Sequence, residues 1–169
     1  MTSAAAAVAT APKKMTICVF SGELDRLLAA FKIGTVAAVS GVEVTMYFTF
    51  WGIVALRDAA KKAKNGKTWV ERMLGFMLPT GPEQLKLSQM HFMGGGRAMM
   101  AGEMKKKKYP SLRELMDMAK ECGIHFTVCE PSMKLLGIQQ EELMDLGIEI
   151  SGVGAFVNEA CHSASTLFI

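Results

Sequence analysis

The sequence is short of the groupings that usually announce chemistry. Its three histidines (His91, His125, His162) and four cysteines (Cys18, Cys122, Cys129, Cys161) are scattered. No subset has zinc-like spacing, so no metal is expected. There is no G-x-G-x-x-G and no G-K-[ST] pattern. Ser21–Asp25 (SGELD) lies where a phosphate loop would, but it is acidic. Gly94–Arg97 (GGGR) follows no predicted strand. No nucleotide or other cofactor is therefore expected. Ser132 has no visible His/Asp partner, which argues against a serine hydrolase. A net charge of +3 is too small to argue for nucleic acid. Lys105–Lys108 reads as a solvated helix end.

A membrane span is also missing. The most apolar stretch, residues 35–56, carries Glu43 near its middle. A central carboxylate costs ~2.5–3.5 kcal/mol in a spanning helix. Ser40-Gly41 breaks the run where a helix would hand over to a strand, so membrane contact is not expected. Residues 1–14 are Ala-rich and then basic, without the long apolar core of a signal peptide. They read as a frayed tail, and a reducing cytoplasm is the expected compartment. There a cysteine is more often buried or reactive than bridged.

What is present is apolar material in short alternating blocks. Half of the residues are hydrophobic and the mean hydropathy is +0.24, which implies buried strands or a large subunit interface. Residues 15–20 (MTICVF), 42–48 (VEVTMYF), 124–128 (IHFTV), 148–153 (IEISGV) and 165–169 (STLFI) read as strands. Helices are expected from Ser21 to about Ser40 and from Trp51 to about Lys64. Others are expected over residues 68–78, 98–108 and 155–161, and after Ser111, where Ser111 and Glu114 form a capping box. Short helical pieces follow Cys129. Seven of fourteen methionines fall between Met73 and Met104. That Met-rich insert reads as core, interface or a mobile lid. Alternating strands and helices imply one α/β domain over residues 15–169, with a mainly parallel sheet of about five strands.

Sites in such sheets lie beyond the carboxyl ends of the strands. That edge holds Ser21, Gly22, the Thr49–Gly52 turn with Phe50 and Trp51, Cys129, Ser132, and Val153-Gly154. Cys129 is the only cysteine there. It precedes a helix start with Pro131 in its first turn, a setting whose amides favour thiolate, whereas the adjacent Glu130 opposes it. Cys18 reads as core. Cys122 lies at the far end of the strand, ~20 Å from Cys129 at about 3.3 Å per residue. A disulfide needs Cα atoms ~4.4–6.8 Å apart, so the C-x6-C pair is a poor intramolecular dithiol. Cys161 also falls on the amino-terminal side.

Five segments in chain order, TMYFTFWGIVALR, LKLSQMHFMGGGRAMM, VCEPSMKLLGI, EELMDLGIEISGV and STLFI, resemble the DsrE/DsrF-like sulfur-relay family, in the subgroup labelled peroxiredoxin-like or DsrE-like. The resemblance spans Met15 to Ile169. It implies a flavodoxin-like three-layer fold and homo-oligomers, often trimers or hexamers. It also implies a cysteine that carries sulfur as a persulfide, a role that falls on Cys129. The expected activity is a sulfurtransferase or sulfur carrier exchanging sulfur with donor or acceptor proteins, with Phe50, Trp51 and part of the insert as an apolar wall. Two alternatives stand beside it: a non-catalytic small-ligand-binding or assembly module, and a thiol peroxidase.

Overall fold

The computed structural model describes residues 13–63, 66–89 and 95–169. Five strands are observed: β1 (Lys14–Val19), β2 (Glu43–Phe48), β3 (His125–Cys129), β4 (Glu149–Ser151) and β5 (Ser165–Phe168). All pair in parallel, in the order β4-β3-β2-β1-β5. Lys14, expected in the frayed tail, opens β1; residues 1–12 lie outside the described set. The β-branched and aromatic runs form strands because they fill both sides of a pleated, buried surface.

The order has a consequence for layering. Three successive crossovers step in one direction, from β1 to β4. The last returns to the opposite edge. With right-handed crossovers, the first helices must cover one face and the last helix the other. Helices α1 (Leu24–Val39) and α4 (Leu112–Glu121) accordingly pack together over the main core. That core centres on Phe31, Phe48 and Phe126, tilted against one another at 6.0–6.2 Å. Each such side chain contributes ~1.5–3 kcal/mol by its burial. Helix α4 presents Leu112, Leu115, Met116 and Ala119 inward, and its Ser111–Glu114 capping box forms. Helix α6 (Val153–His162) lies on the opposite face and has no fully buried residue.

The insert contains α2 (Trp69–Met77) and α3 (Gly95–Lys106). Met90 and Met93 of the Met-rich stretch lie outside the described residues, as does Gly94 of the glycine run, whereas Gly95 and Gly96 open α3. Helix α2 buries none of its residues, and Trp69, Val70, Met73, Phe76 and Met77 are exposed.

One expected element is different. The helix predicted from Trp51 to about Lys64 is a 3-10 run, Phe50–Leu56, that stops before Arg57. Arg57 turns inward instead, with only 5 % exposure. It gives Nη2 to Glu142 (3.1 Å) and Nη1 to the carbonyls of Pro79, Gly75 and Leu78 (3.2–3.5 Å). Lys67 closes on the other Glu142 oxygen at 2.5 Å. Burying these charges is tolerable only because each is paired. The clasp pins the chain around residue 57, the start of the insert and the segment before β4 into one piece.

Candidate functional site

Cys129 is the last residue of β3 and the N-cap of α5 (Glu130–Leu135). Pro131 falls in the first turn of α5, where its fixed φ suits a helix start and its missing amide costs nothing. The turn brings Ser132 back over the sulfur. Ser132 Oγ donates to Cys129 Sγ at 3.3 Å, and Thr49 Oγ1 lies 2.9 Å from Ser132 Oγ. A hydroxyl has one proton. With the Ser132 proton spent on sulfur, Thr49 must donate to Ser132. The chain Thr49–Ser132–Cys129 therefore points its donors at the thiol.

The side chain of Cys129 faces α6, not the main core. It belongs to a small separate cluster with Cys18 and Tyr47, and Phe156 of α6 packs against them. Phe156 stacks on Tyr47 with ring centroids 4.8 Å apart. Cys129 is only 2 % exposed and Tyr47 3 %. Ser151 stands directly across from Cys129 in the β3–β4 register. The Tyr47 and Ser151 hydroxyls are buried and have no hydrogen-bond partner among the described residues.

The electrostatics separate the two buried thiols. For Cys129, burial is the largest single influence and pushes the thiol up. The Ser132 hydroxyl, the Tyr47 hydroxyl, the Ser132 amide and Thr49 pull it down, and together they hold it below the ordinary thiol value. The Tyr47 hydroxyl and the Ser132 amide act as nearby hydrogen-bond donors in poorer alignment than Ser132 Oγ. Cys18 is pushed up to about 11, by burial first and then by negative charge on Cys129. At neutral pH Cys18 is a protonated bystander. Tyr47 is likewise raised, chiefly by burial, so it remains a donor. Glu130, whose charge would disfavour a thiolate, turns to Lys134 at 2.7 Å on the surface.

Cys18 and Cys129 share a cluster but not bonding distance. Cys18 pairs with Tyr47, and Tyr47 with Thr127, so the two cysteines lie two strands apart. At about 4.8 Å per strand spacing their Cα atoms exceed the disulfide range. All four cysteines are free; Cys122 and Cys161 are exposed.

The remaining edge residues form a second cleft. Ser21, Gly22 and Trp51 line a cavity of about 580 Å³ with Phe20, Arg26, Met77 and Lys86. Close backbone approach explains Gly22 in this cleft and Gly52 next to Trp51. A Cβ on Gly22 would sit 2.6 Å from the Trp51 carbonyl oxygen, and one on Gly52 2.2 Å from that of Val19. Phe50 packs on Phe20 at 5.4 Å. Thus Trp51 lines this cleft, Phe50 packs on its Phe20, and the apolar cover of the thiol comes from Tyr47 and Phe156. Of the expected pocket residues, Ser132 is the one beside Cys129.

Tyr47, Thr49, Cys18 and Ser151 carry no motif of their own, yet a shared signal exists. Four strands carry one alternation: Thr16-Ile17-Cys18 in register with Thr45-Met46-Tyr47, and, two residues further along the sheet, Thr127-Val128-Cys129 in register with Glu149-Ile150-Ser151. The middle residue faces the main core and its neighbours face α6. The α6 face is therefore polar or thiol-bearing in every one of these strands, and counting back by twos from Cys129 finds it.

Known proteins match this architecture. The model of the DsrE/DsrF/DrsH-like family matches residues 11–168. A protein of Bacillus subtilis described as the uncharacterized protein YrkE is 40% identical over 158 residues, 93% of this chain and 97% of that one. The sulfur carrier protein DsrE2 of Allochromatium vinosum is 30% identical over 161 residues, 93% of this chain and 98% of its own. Among solved structures, the ychN protein from E. coli superposes with a TM-score of 0.57 at 10% identity, covering 93% of this chain and 99% of its own. That likeness shows a shared flavodoxin-like fold.

Proposed function

As this chain belongs to the DsrE/DsrF/DrsH-like family, we propose that it works in sulfur relay, carrying sulfur as a persulfide on Cys129. The observation that carries the reading is a thiol held below its ordinary pKa at a strand end by hydroxyl donors, despite burial. The similarity to a sulfur carrier supports the same assignment.

The chemistry balances without a redox partner. Cys129 thiolate attacks the outer sulfur of a donor persulfide, R–S–SH. A bond forms between Sγ and that sulfur, the donor S–S bond breaks, and the electron pair leaves with R–S⁻. An acceptor thiolate repeats the exchange on the loaded Cys129. Ser132 and Thr49 keep the thiolate available, and burial shields the loaded sulfur from oxidants. Because the thiol is covered, each exchange needs the α6 side of the pocket to open. A reducing cytoplasm suits this free-thiol chemistry.

The test is intact-mass measurement after incubation with a polysulfide donor. A gain of one sulfur that survives in Cys18→Ser, Cys122→Ser and Cys161→Ser but disappears in Cys129→Ser is expected. Equal loading of Cys129→Ser would overturn the assignment. A thiol that alkylates only in denaturant and never loads would favour the assembly-module alternative, whose support is the burial of Cys129. The exposed apolar stripe of α2 supports self-association; light scattering is expected to give a mass above that of one chain, and Phe76→Glu to reduce it.

A further inference from the structure

We propose that the Tyr47 and Ser151 hydroxyls hold the terminal sulfur of loaded Cys129, making them binding residues for the cargo itself. The inference rests on the reading that Cys129 carries sulfur.

Two buried hydroxyls without partners in one small pocket call for an explanation. A buried polar group left unsatisfied loses its bonds to water and regains nothing, and native proteins keep few of them. Tyr47 is 3 % exposed and its hydroxyl has no partner; the Ser151 Oγ is also buried and unpartnered. Both flank the same thiol. Ser151 is the register partner of Cys129 one strand over, about 4.8 Å away across the sheet. Tyr47 lies in the cluster that contains Cys129. Resting Cys129 already takes its directed hydrogen bond from Ser132, with the Tyr47 hydroxyl a further, poorly aligned donor near the sulfur, so Ser151 is not needed to satisfy Sγ.

A second sulfur changes this. It extends the side chain by ~2.05 Å and moves the negative charge to the new atom. Tyr47, Ser151 and Phe156 line one end of a groove of about 340 Å³ that continues over Thr16, Thr45 and Thr127 on the α6 face. Cys129 does not itself line the groove, but Tyr47, its cluster neighbour, and Ser151, its register partner, do, so an atom added to Sγ on their side approaches the end of that space. Its cation, Lys14, is at the other end and is engaged by Glu43 (3.0 Å) and Glu159 (3.4 Å). The site therefore offers hydroxyl protons and not a positive charge, which suits a large, weakly hydrated monoanion such as a terminal persulfide sulfur. During exchange neither hydroxyl gives up its proton; each only donates a hydrogen bond to the sulfur.

The experiment loads wild type, Tyr47→Phe, Ser151→Ala and the double variant with polysulfide, removes the donor, and follows the one-sulfur mass gain over time. The alkylation of loaded protein is also measured against pH. Wild type is expected to load and keep its sulfur. Each variant is expected to lose it about tenfold faster, with the persulfide titrating at higher pH; the unloaded thiol keeps its profile in Ser151→Ala, whereas Tyr47→Phe raises its midpoint as well, because the Tyr47 hydroxyl also lowers the resting thiol. If wild type and variants hold sulfur equally long with one pH profile, the proposal is wrong and the sulfur-carrier reading stands. If wild type never loads, both fall. Tyr47→Phe keeps the ring stack on Phe156. Should it nevertheless fail to fold, Ser151→Ala decides alone, since its side chain only partly enters the packed interior.

Discussion

Removing the Ser132 hydroxyl is the sharpest test of how the thiol is activated. Ser132→Ala deletes the directed hydrogen bond to Cys129 Sγ at 3.3 Å and orphans Thr49. A hydrogen bond to a charged group contributes ~1.5–3 kcal/mol, and one pKa unit corresponds to ~1.36 kcal/mol. The thiol should therefore rise by about one to two units. The lower end is expected, because the Ser132 amide and Tyr47 still pull on the sulfur. Below both midpoints, one unit cuts the thiolate fraction about tenfold. A more basic thiolate is also intrinsically more reactive, with a Brønsted slope of ~0.4–0.5, which restores about threefold of that loss. Alkylation at a pH below both midpoints should thus slow about threefold, and the high-pH plateau should rise by a similar factor. The assay is iodoacetamide modification of Cys129 followed by intact mass across pH, with exposed Cys122 as internal control. Opening of the pocket scales all rates but leaves the midpoint in place. An unchanged or lowered midpoint would refute the hydroxyl-chain account.

Other predictions concern the cover and the clasp. Phe156→Ala removes the ring stacked on Tyr47 and is expected to speed Cys129 alkylation severalfold with little change in midpoint; an unchanged rate would mean that α6 does not gate access. Glu142→Ala strands Arg57 and Lys67 as buried, uncompensated cations. Such losses cost ~3–5 kcal/mol and, at ~2–4 °C per kcal/mol in a chain of this size, lower Tm by roughly 6–20 °C. Burial pushes the Glu142 carboxyl up, but Lys67, the Gln139 amide and Arg57 outweigh it and hold the group below its ordinary value of 4.5. A depressed acid stabilises the fold above its unfolded pKa, and that contribution fades as pH falls through the folded value. Wild type should therefore lose stability below about pH 4.5 more steeply than Glu142→Ala in thermal melts; parallel acid limbs would argue against the clasp.

The legible and illegible parts of the chain differ in how local their causes are. The five strands and the Ser111–Glu114 cap follow from neighbours a few residues apart, and so does the placement of Cys129, since a strand-to-helix switch marks the carboxyl edge of the sheet. The segment after Trp51 misleads for a non-local reason. Its composition suits a helix, but Arg57 is drawn inward by Glu142, 85 residues away. The thiol's surroundings fail on the same ground. Tyr47 sits in an apolar run, VEVTMYF, with no sign of a special role. It meets Cys129 only because β2 lies between β1 and β3, and because parallel register aligns their parity. Phe156 reaches the site only because the last crossover reverses direction.

Under the proposed sulfur-carrier function, that reversal bears on how the cargo would be released. The helices that build the main core and the helix that covers the thiol are on opposite sides of the sheet. Helix α6 holds its place without one fully buried side chain, so it is able to lift at a free-energy cost well under that of global unfolding. On that reading delivery would be timed by a local hinge, and the opening step would be a property of residues 152–164. Substitutions on the outer side of that segment would retune how often the thiol is uncovered, faster or slower, with the thiol's own surroundings and the folded core left as they are.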